Sequence, residues 1–195
     1  MIIKKKSIFS LLLFLIIVIA CNNNNYVEYS DAIDSCKKLI RIDSVNKSKR
    51  IVFPSPDCLI NAKAPNISGI DVKKQKIFTN FQKSGFTLIN FWFLECKPCV
   101  EEIPLLNEIS KMKNITVVSV CKNNEKDIKN FMKKYEIIYP VIPNGNEIIY
   151  GIYKHIFGFP TSYLIDDNGV IIKVFYHLSK SSKDYKFLLD IIKNG

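Results

Sequence analysis

The stretch Phe86 to Pro104, FTLINFWFLECKPCVEEIP, limits the possible folds of this chain more than any other. Its first part is an almost unbroken apolar run ending at Phe93, the pattern of a strand buried on both faces of a sheet. Its last part opens a helix, because Val100, Ile103, Leu106 and Ile109 recur at three-residue intervals. Pro98 suits the first helical turn, where a missing N–H costs little. Pro104 lies deeper and predicts a kink. Between strand and helix stand Cys96 and Cys99, with only Lys97 and Pro98 separating them. A strand covered on both faces needs further layers around it.

The following sequence offers those layers. Ile115 to Cys121, ITVVSVC, reads as a second buried strand, and EKDIKNFMKKYEI as a helix with Ile128, Phe131, Met132 and Tyr135 on one face. Strand, helix, strand, helix in this order favours parallel pairing with right-handed crossovers. Ile148 to Tyr153 predicts a short helix. Gly158-Phe159-Pro160-Thr161 interrupts the chain, and SYLID and VIIKVFY on either side of Asp167-Asn168-Gly169 predict a hairpin. A last helix over Lys183 to Lys193 is expected to bury Phe187, Leu188 and Ile191 or Ile192. Upstream, Ile67 to Val72 predicts a first strand and Lys73 to Lys83 a connection. The order β-α-β-α-β-β-α implies an α/β sandwich with a mixed central sheet and flanking helices.

This domain is expected over residues 61–195, and three segments precede it. Residues 26–60 read as an N-terminal extension packed against the domain. Within Tyr26 to Ile42, residues Ile33, Cys36, Leu39 and Ile40 share a helical face, with Ser30 or Asp31 as the cap. Residues 1–20 combine Lys4, Lys5 and Lys6 with the apolar stretch Ile8 to Ala20, the layout of a targeting segment. Val18-Ile19-Ala20-Cys21 resembles the lipobox of bacterial lipoproteins, which implies a signal peptide cleaved before Cys21 and lipidation of that cysteine. Residues 21–25 then become the lipidated cysteine and a polar asparagine tether, with firm attachment from several acyl chains. An uncleaved membrane anchor is the competing reading. Either one places the domain in the cell envelope outside the cytoplasm, periplasm-facing in a Gram-negative cell, where disulfides persist.

The formal net charge of +10 comes from scattered lysines without interleaved aromatic residues. That distribution describes a solvated surface and gives no reason to expect a nucleic-acid partner.

The Cys96–Cys99 pair admits three chemistries. A structural clip across so small a ring stabilises little. A zinc half-site needs two further ligands, and Cys36, Cys58, Cys121, His155 and His177 form no paired motif near it. A redox centre uses the position itself: a sulfur at a helix N-terminus meets free N–H groups and the helix dipole, which favour thiolate. Lys97 adds positive charge. Cys96 is then the nucleophile and Cys99 the resolving thiol, close enough to attack a mixed disulfide from within the chain. A C-x-x-C beside a βαβ pattern is a known thioredoxin-like signature. No metal or cofactor is expected.

NFWFLECKPCVEEIP resembles the active-site segment of thioredoxin-like thiol-disulfide oxidoreductases, especially the membrane-associated TlpA/ResA-like branch. Asn90-Phe91-Trp92, the two cysteines, Glu102 and Pro104 carry the match, as do Ala64-Pro65-Asn66, Gly158-Phe159-Pro160-Thr161 and Tyr163-Leu164-Ile165-Asp166 with Asn168-Gly169. The resemblance spans roughly residues 60 to 193 and implies a thioredoxin-like fold with a strand-helix insertion between the CxxC helix and a cis-proline loop. It implies that Pro160 is cis and faces the cysteines, that Phe159 lines a substrate groove with Trp92, Lys97 and Pro98, and that Glu102 moves protons near Cys99. Asn90 stands where cytoplasmic thioredoxins carry a buried aspartate, and its neutral amide cannot take a proton. Two features depart from the family pattern: Glu95 precedes the first cysteine where many relatives have tryptophan, and the segment between Cys99 and Pro160 is longer than in a minimal thioredoxin. The Glu95 charge opposes a Cys96 thiolate while Lys97 supports it.

Among the other cysteines, Cys36 and Cys58 could form a structural disulfide, and Cys121, ending an apolar strand, reads as a small core residue. The expected function is an exported protein-disulfide oxidoreductase that reduces extracytoplasmic proteins through a Cys96–Cys99 cycle. It would draw electrons from a membrane thiol-disulfide protein and be held to the membrane by its lipid. A non-catalytic binding or assembly module and a peroxiredoxin-like peroxide reductase are the alternatives; neither Cys96 nor Cys121 has the threonine and proline that commonly precede a peroxide-reducing cysteine.

Overall fold

The computed structural model describes residues 26–45, 48–81 and 85–194, so the expected signal peptide, the expected lipidation at Cys21 and the expected asparagine tether lie outside the described residues. The N-terminal part comprises β1 (Val27–Glu28), α1 (Tyr29–Lys38), the hairpin of β2 (Arg41–Val45) and β3 (Ser48–Val52), a 3-10 turn at Pro56–Leu59, and β4 (Ala62–Lys63). A second hairpin pairs β5 (Ser68–Ile70) with β6 (Lys76–Phe78). The remainder runs β7 (Phe86–Trp92), α2 (Lys97–Ser110), β8 (Ile115–Cys121), α3 (Glu125–Met132) and β9 (Val141–Ile142). A π-helical turn at Glu147–Ile152, β10 (Thr161–Ile165), β11 (Ile171–Tyr176) and α4 (Lys183–Asn194) complete it.

The central sheet has the order β11-β10-β7-β8-β9. β7, β8 and β9 are parallel, while β10 is antiparallel to β7 and to β11, so the sheet is mixed as expected. The apolar run therefore takes the middle position, with both of its faces covered. Alternation of side chains decides what each face meets. Leu88 and Trp92 pack with Ile103, Leu106 and Ile109 of α2 and Leu188 of α4. Ile89 and Phe91 pack with Ile33 of α1, Leu59, Tyr153 and Tyr163. The N-terminal segment is thus the second layer over a face that would otherwise be wet. Cys36 and Cys58 are joined in a disulfide across 5.7 Å between Cα atoms, fixing α1 to the 3-10 turn. β1 lies parallel to β4 and brings the segment back to the start of the domain.

Local differences from the sequence reading have physical causes. α1 begins at Tyr29, follows Glu28 without a side-chain cap, and ends before Leu39, which is exposed. Its buried face is anchored by Tyr29, whose hydroxyl donates to the Tyr153 carbonyl at 2.8 Å. The expected connection Lys73 to Lys83 contains a strand, β6, because Asp71 Oδ1 accepts the N–H groups of Lys73 and Gln75 (2.9 and 2.8 Å) and turns the chain back on β5. α3 stops at Met132, so Tyr135 leaves the buried face and stacks on Phe131 with centroids 4.3 Å apart. Phe187 is exposed; Leu188 and Ile192 bury the face of α4.

Candidate active site

β7 delivers the chain to Cys96, which is the N-cap residue of α2. Its Sγ accepts the Cys99 N–H at 3.3 Å, and its carbonyl accepts the Val100 N–H at 3.1 Å. The two sulfurs form a disulfide, with the Cα atoms 5.2 Å apart. Both cysteines are buried, Cys96 at 6% and Cys99 at 2% exposure. Once reduced, a sulfur in this position lies where helix N–H groups and the dipole stabilise negative charge. Pro98 occupies the first turn of α2 and is exposed. The Lys97 side chain is 88% exposed and its Nζ lies 3.9 Å from Glu101, so it faces solvent and shares its charge with an acid. Glu95 accepts from Asn123 Nδ2 at 3.3 and 3.4 Å.

The Phe159–Pro160 peptide is cis. Because Thr161 is paired with Phe91, Pro160 lies opposite the end of β7, at the edge of the sheet from which the chain passes to Cys96. Pro160 is buried, while Phe159 is half-buried and packs against the apolar cluster that contains both cysteines. Phe159 also meets Phe93 edge-to-face, with centroids 5.4 Å apart. The loop is held by two donors on one carbonyl: Thr161 Oγ1 at 2.6 Å and His155 Nε2 at 3.2 Å, both to the oxygen of Gly158. A carbonyl can only accept, so Nε2 carries the proton; Nδ1 then accepts from the Tyr163 hydroxyl at 2.9 Å. Burial pushes the His155 pKa down to about 4, which keeps this arrangement neutral. Sequence reasoning missed His155, since its partners at Gly158 and Tyr163 follow no local ligand pattern.

Beneath α2 a polar row crosses the sheet. Asn90 is in register with Ser119 on β8 and Ser162 on β10, and all three are buried. Asn90 Nδ2 donates to Ser162 Oγ at 3.0 Å and to Glu102 Oε2 at 3.5 Å. Glu102, one turn beyond Cys99 on the helix, is 2% exposed. Its other oxygen accepts the Leu178 N–H. Burial pushes its pKa up to about 7, against the opposing effect of the Leu178 and Asn90 donors. A carboxyl in this state exchanges a proton close to neutral pH. Ser119 and Ser162 carry no motif, and only strand register places them beside Asn90.

Trp92 does not line a groove: it is 2% exposed and packs against Phe131 at 5.8 Å between centroids. The parity of β7 turns it inward with Leu88 and Asn90, toward α2. Cys121, paired with Trp92 across the strands, is buried, and burial pushes its thiol up to about 12. It is a protonated core thiol. Among the described residues no three His, Cys, Asp or Glu side chains converge to hold a metal ion, and no helix is long and apolar enough to cross a membrane.

The AhpC/TSA family model matches residues 60–174. The chain is similar to the thiol-disulfide oxidoreductase ResA of Bacillus thuringiensis subsp. konkukian, with 38% identity over 121 residues that cover 58% of this chain and 68% of that one. ResA of Bacillus subtilis is 28% identical over 136 residues, covering 68% of this chain and 75% of its own. Among solved structures, a thioredoxin-family thiol:disulfide interchange protein from Chlorobium tepidum is 29% identical with a TM-score of 0.55, covering 67% of this chain and 94% of the other.

Proposed function

This chain belongs to the AhpC/TSA family as a thioredoxin-like thiol-disulfide oxidoreductase of the ResA type, and on that footing we propose that it is exported, anchored through a lipid on Cys21, and reduces disulfides of extracytoplasmic proteins. The observation that carries the chemical part is the helix-capping Cys96 bonded to Cys99, with buried Glu102 one turn along the same helix and the cis Phe159–Pro160 loop at the same sheet edge.

The cycle starts from the dithiol. The Cys96 thiolate attacks one sulfur of a partner disulfide, forming a mixed disulfide and releasing the other partner sulfur as a thiolate. Cys99 then loses its proton and attacks the Cys96 Sγ. That step forms the intramolecular disulfide seen here and releases the second partner sulfur. Two electrons have moved from the Cys96–Cys99 pair to the partner, and the two released thiolates take up two protons. In this reading Glu102, three residues beyond Cys99 on the same helix, accepts the Cys99 proton, a role its affinity near neutrality supports. A membrane thiol-disulfide protein restores the dithiol by the reverse exchange. The leader ending in Val18-Ile19-Ala20-Cys21 supports export and anchoring, and the family resemblance supports the reducing direction.

Expression of the full chain carrying Cys99→Ser, followed by acid quenching and thiol blocking, tests the reading. The expected result is a mixed disulfide in the membrane fraction, with a partner whose second cysteine is free. Capture of cytoplasmic partners alone would refute the location. Captured partners that emerge oxidised in vivo only when the wild-type chain is present would refute the direction.

A further inference from the structure

Lys122 is the first residue beyond the end of β8, and its N–H donates to the Trp92 carbonyl at 3.1 Å, so it stands at the sheet edge where β7 hands the chain to Cys96. Its ammonium lies over three aromatic rings: Phe93 at 5.3 Å, Tyr150 at 5.5 Å and Phe159 at 5.6 Å. Phe93 is three residues before Cys96, and Phe159 is the residue joined to Pro160 by the cis bond. Lys122 itself is half-buried, and Tyr150 is 45% exposed with Ile152 open beside it. Rings surround the cation, yet no carboxylate pairs with it among the described residues. Lys63 likewise lies over one ring, that of Tyr26 at 4.8 Å, whereas Lys122 meets three and several other lysines meet acids. Lys97, Lys74, Lys129, Lys173 and Lys180 each have an acidic partner. Glu95, the nearest acid in sequence to Cys96, is held by Asn123 instead.

Aromatic faces stabilise an ammonium without neutralising it, because the ring quadrupole attracts the cation and leaves its N–H groups with no acceptor. The result is a positive charge with hydrogen-bond donors left over, framed by apolar surface, at the end of the sheet from which β7 leads to the cysteine pair. We propose that Lys122 is a specificity-determining residue that binds an aspartate or glutamate flanking the reactive cysteine of the partner polypeptide. Phe93, Tyr150 and Phe159 hold the ammonium in place and pack against that segment. This proposal rests on the disulfide-exchange reading above and names the local chemistry of its substrate. The pairing contributes in the encounter and in the mixed disulfide, where the partner chain lies across the loop; it takes no part in proton or electron transfer.

Two disulfide-linked peptide substrates test this, identical except for glutamate or glutamine next to the target cysteine. The full chain is used in detergent, with dithiothreitol as terminal reductant, and kcat/KM is measured for each peptide. The wild-type enzyme is expected to prefer the glutamate peptide by roughly three- to fivefold, the range for a partly exposed ion pair, and to lose the preference as salt rises. In Lys122→Met, which keeps an unbranched apolar stem among the rings, the ratio should fall to about one, whereas Lys122→Arg should retain it. A merely structural lysine would change both peptides equally and leave the ratio where it was, which overturns the proposal. If Lys122→Met fails to fold, Lys122→Gln takes its place in the same comparison, and a wild-type ratio of one at low salt is also a refutation. Turnover of both peptides without preference removes only the role of Lys122. Turnover of neither removes the exchange reading together with it.

Discussion

Replacing Glu102 with glutamine should change how stability depends on pH, by an amount set by the environment of its carboxyl. In the native protein the carboxyl is pushed up to about 7, chiefly by burial, from 4.5 when free. Between these values the unfolded chain releases the proton and the native state keeps it, so the native state binds more protons and stability falls as pH rises. The penalty is absent below the unfolded pKa, grows through the window, and is complete above about pH 7. At about 1.4 kcal/mol for each pH unit of separation it amounts to about 3 kcal/mol. Glutamine titrates nowhere in this range. Its carbonyl can still accept the Leu178 N–H, while its amide faces the Asn90 Nδ2 donor and loses that bond, a cost independent of pH. Urea unfolding of both proteins, with the disulfides oxidised, at about pH 4 and about pH 8.5 isolates the effect, because other groups cancel in the difference. Relative to wild type, the variant should gain about 3 kcal/mol between the two conditions. A difference equal at both pH values would refute the buried, proton-holding Glu102.

Three further outcomes follow from the same geometry. His155, held near 4 against 6.5 when free, has the opposite sign: below pH 6.5 the unfolded chain takes up a proton that the native state refuses, so stability falls with falling pH. His155→Gln should flatten that slope by about 3 kcal/mol down to pH 4, read by the same urea method. Replacing both Cys36 and Cys58 by alanine should cost about 3 kcal/mol, from the loop their 22-residue separation closes, measurable as a lower urea midpoint. Cys121 should resist iodoacetamide in the native oxidised protein and react fully in denaturant, as mass spectrometry would show; rapid native labelling would contradict its burial.

The parts legible in the sequence are those in which one stretch carries its own signal. The apolar run of β7, the cysteine pair and the three-residue spacing in α2 are contiguous, and together they require a central strand feeding a helix N-terminus. The DNG turn likewise announces β10 and β11. What escaped depends on contacts between distant segments. β9 is two residues long and exists because Ser119 and Val120 offer it an open sheet edge. The end of α3 at Met132 frees Tyr135, although the apolar spacing continues past it. The likeness to a family segment points Trp92 outward, while the parity of its own strand turns it toward α2. The polar row of Ser162, Asn90 and Ser119 appears only after the register of three strands is known. His155 appears only after the loop at Gly158 folds back over it.

The central claim is that Cys96 attacks and Cys99 resolves. Reduced, purified Cys99→Ser and Cys96→Ser proteins, each mixed with the same disulfide peptide, quenched in acid and mapped by mass spectrometry, test it most directly. A stable adduct on Cys96 in the first variant, and slow or absent adduct formation in the second, is the expected result. An adduct that forms readily on Cys99 in Cys96→Ser, or one that maps to Cys121 in either variant, would contradict it.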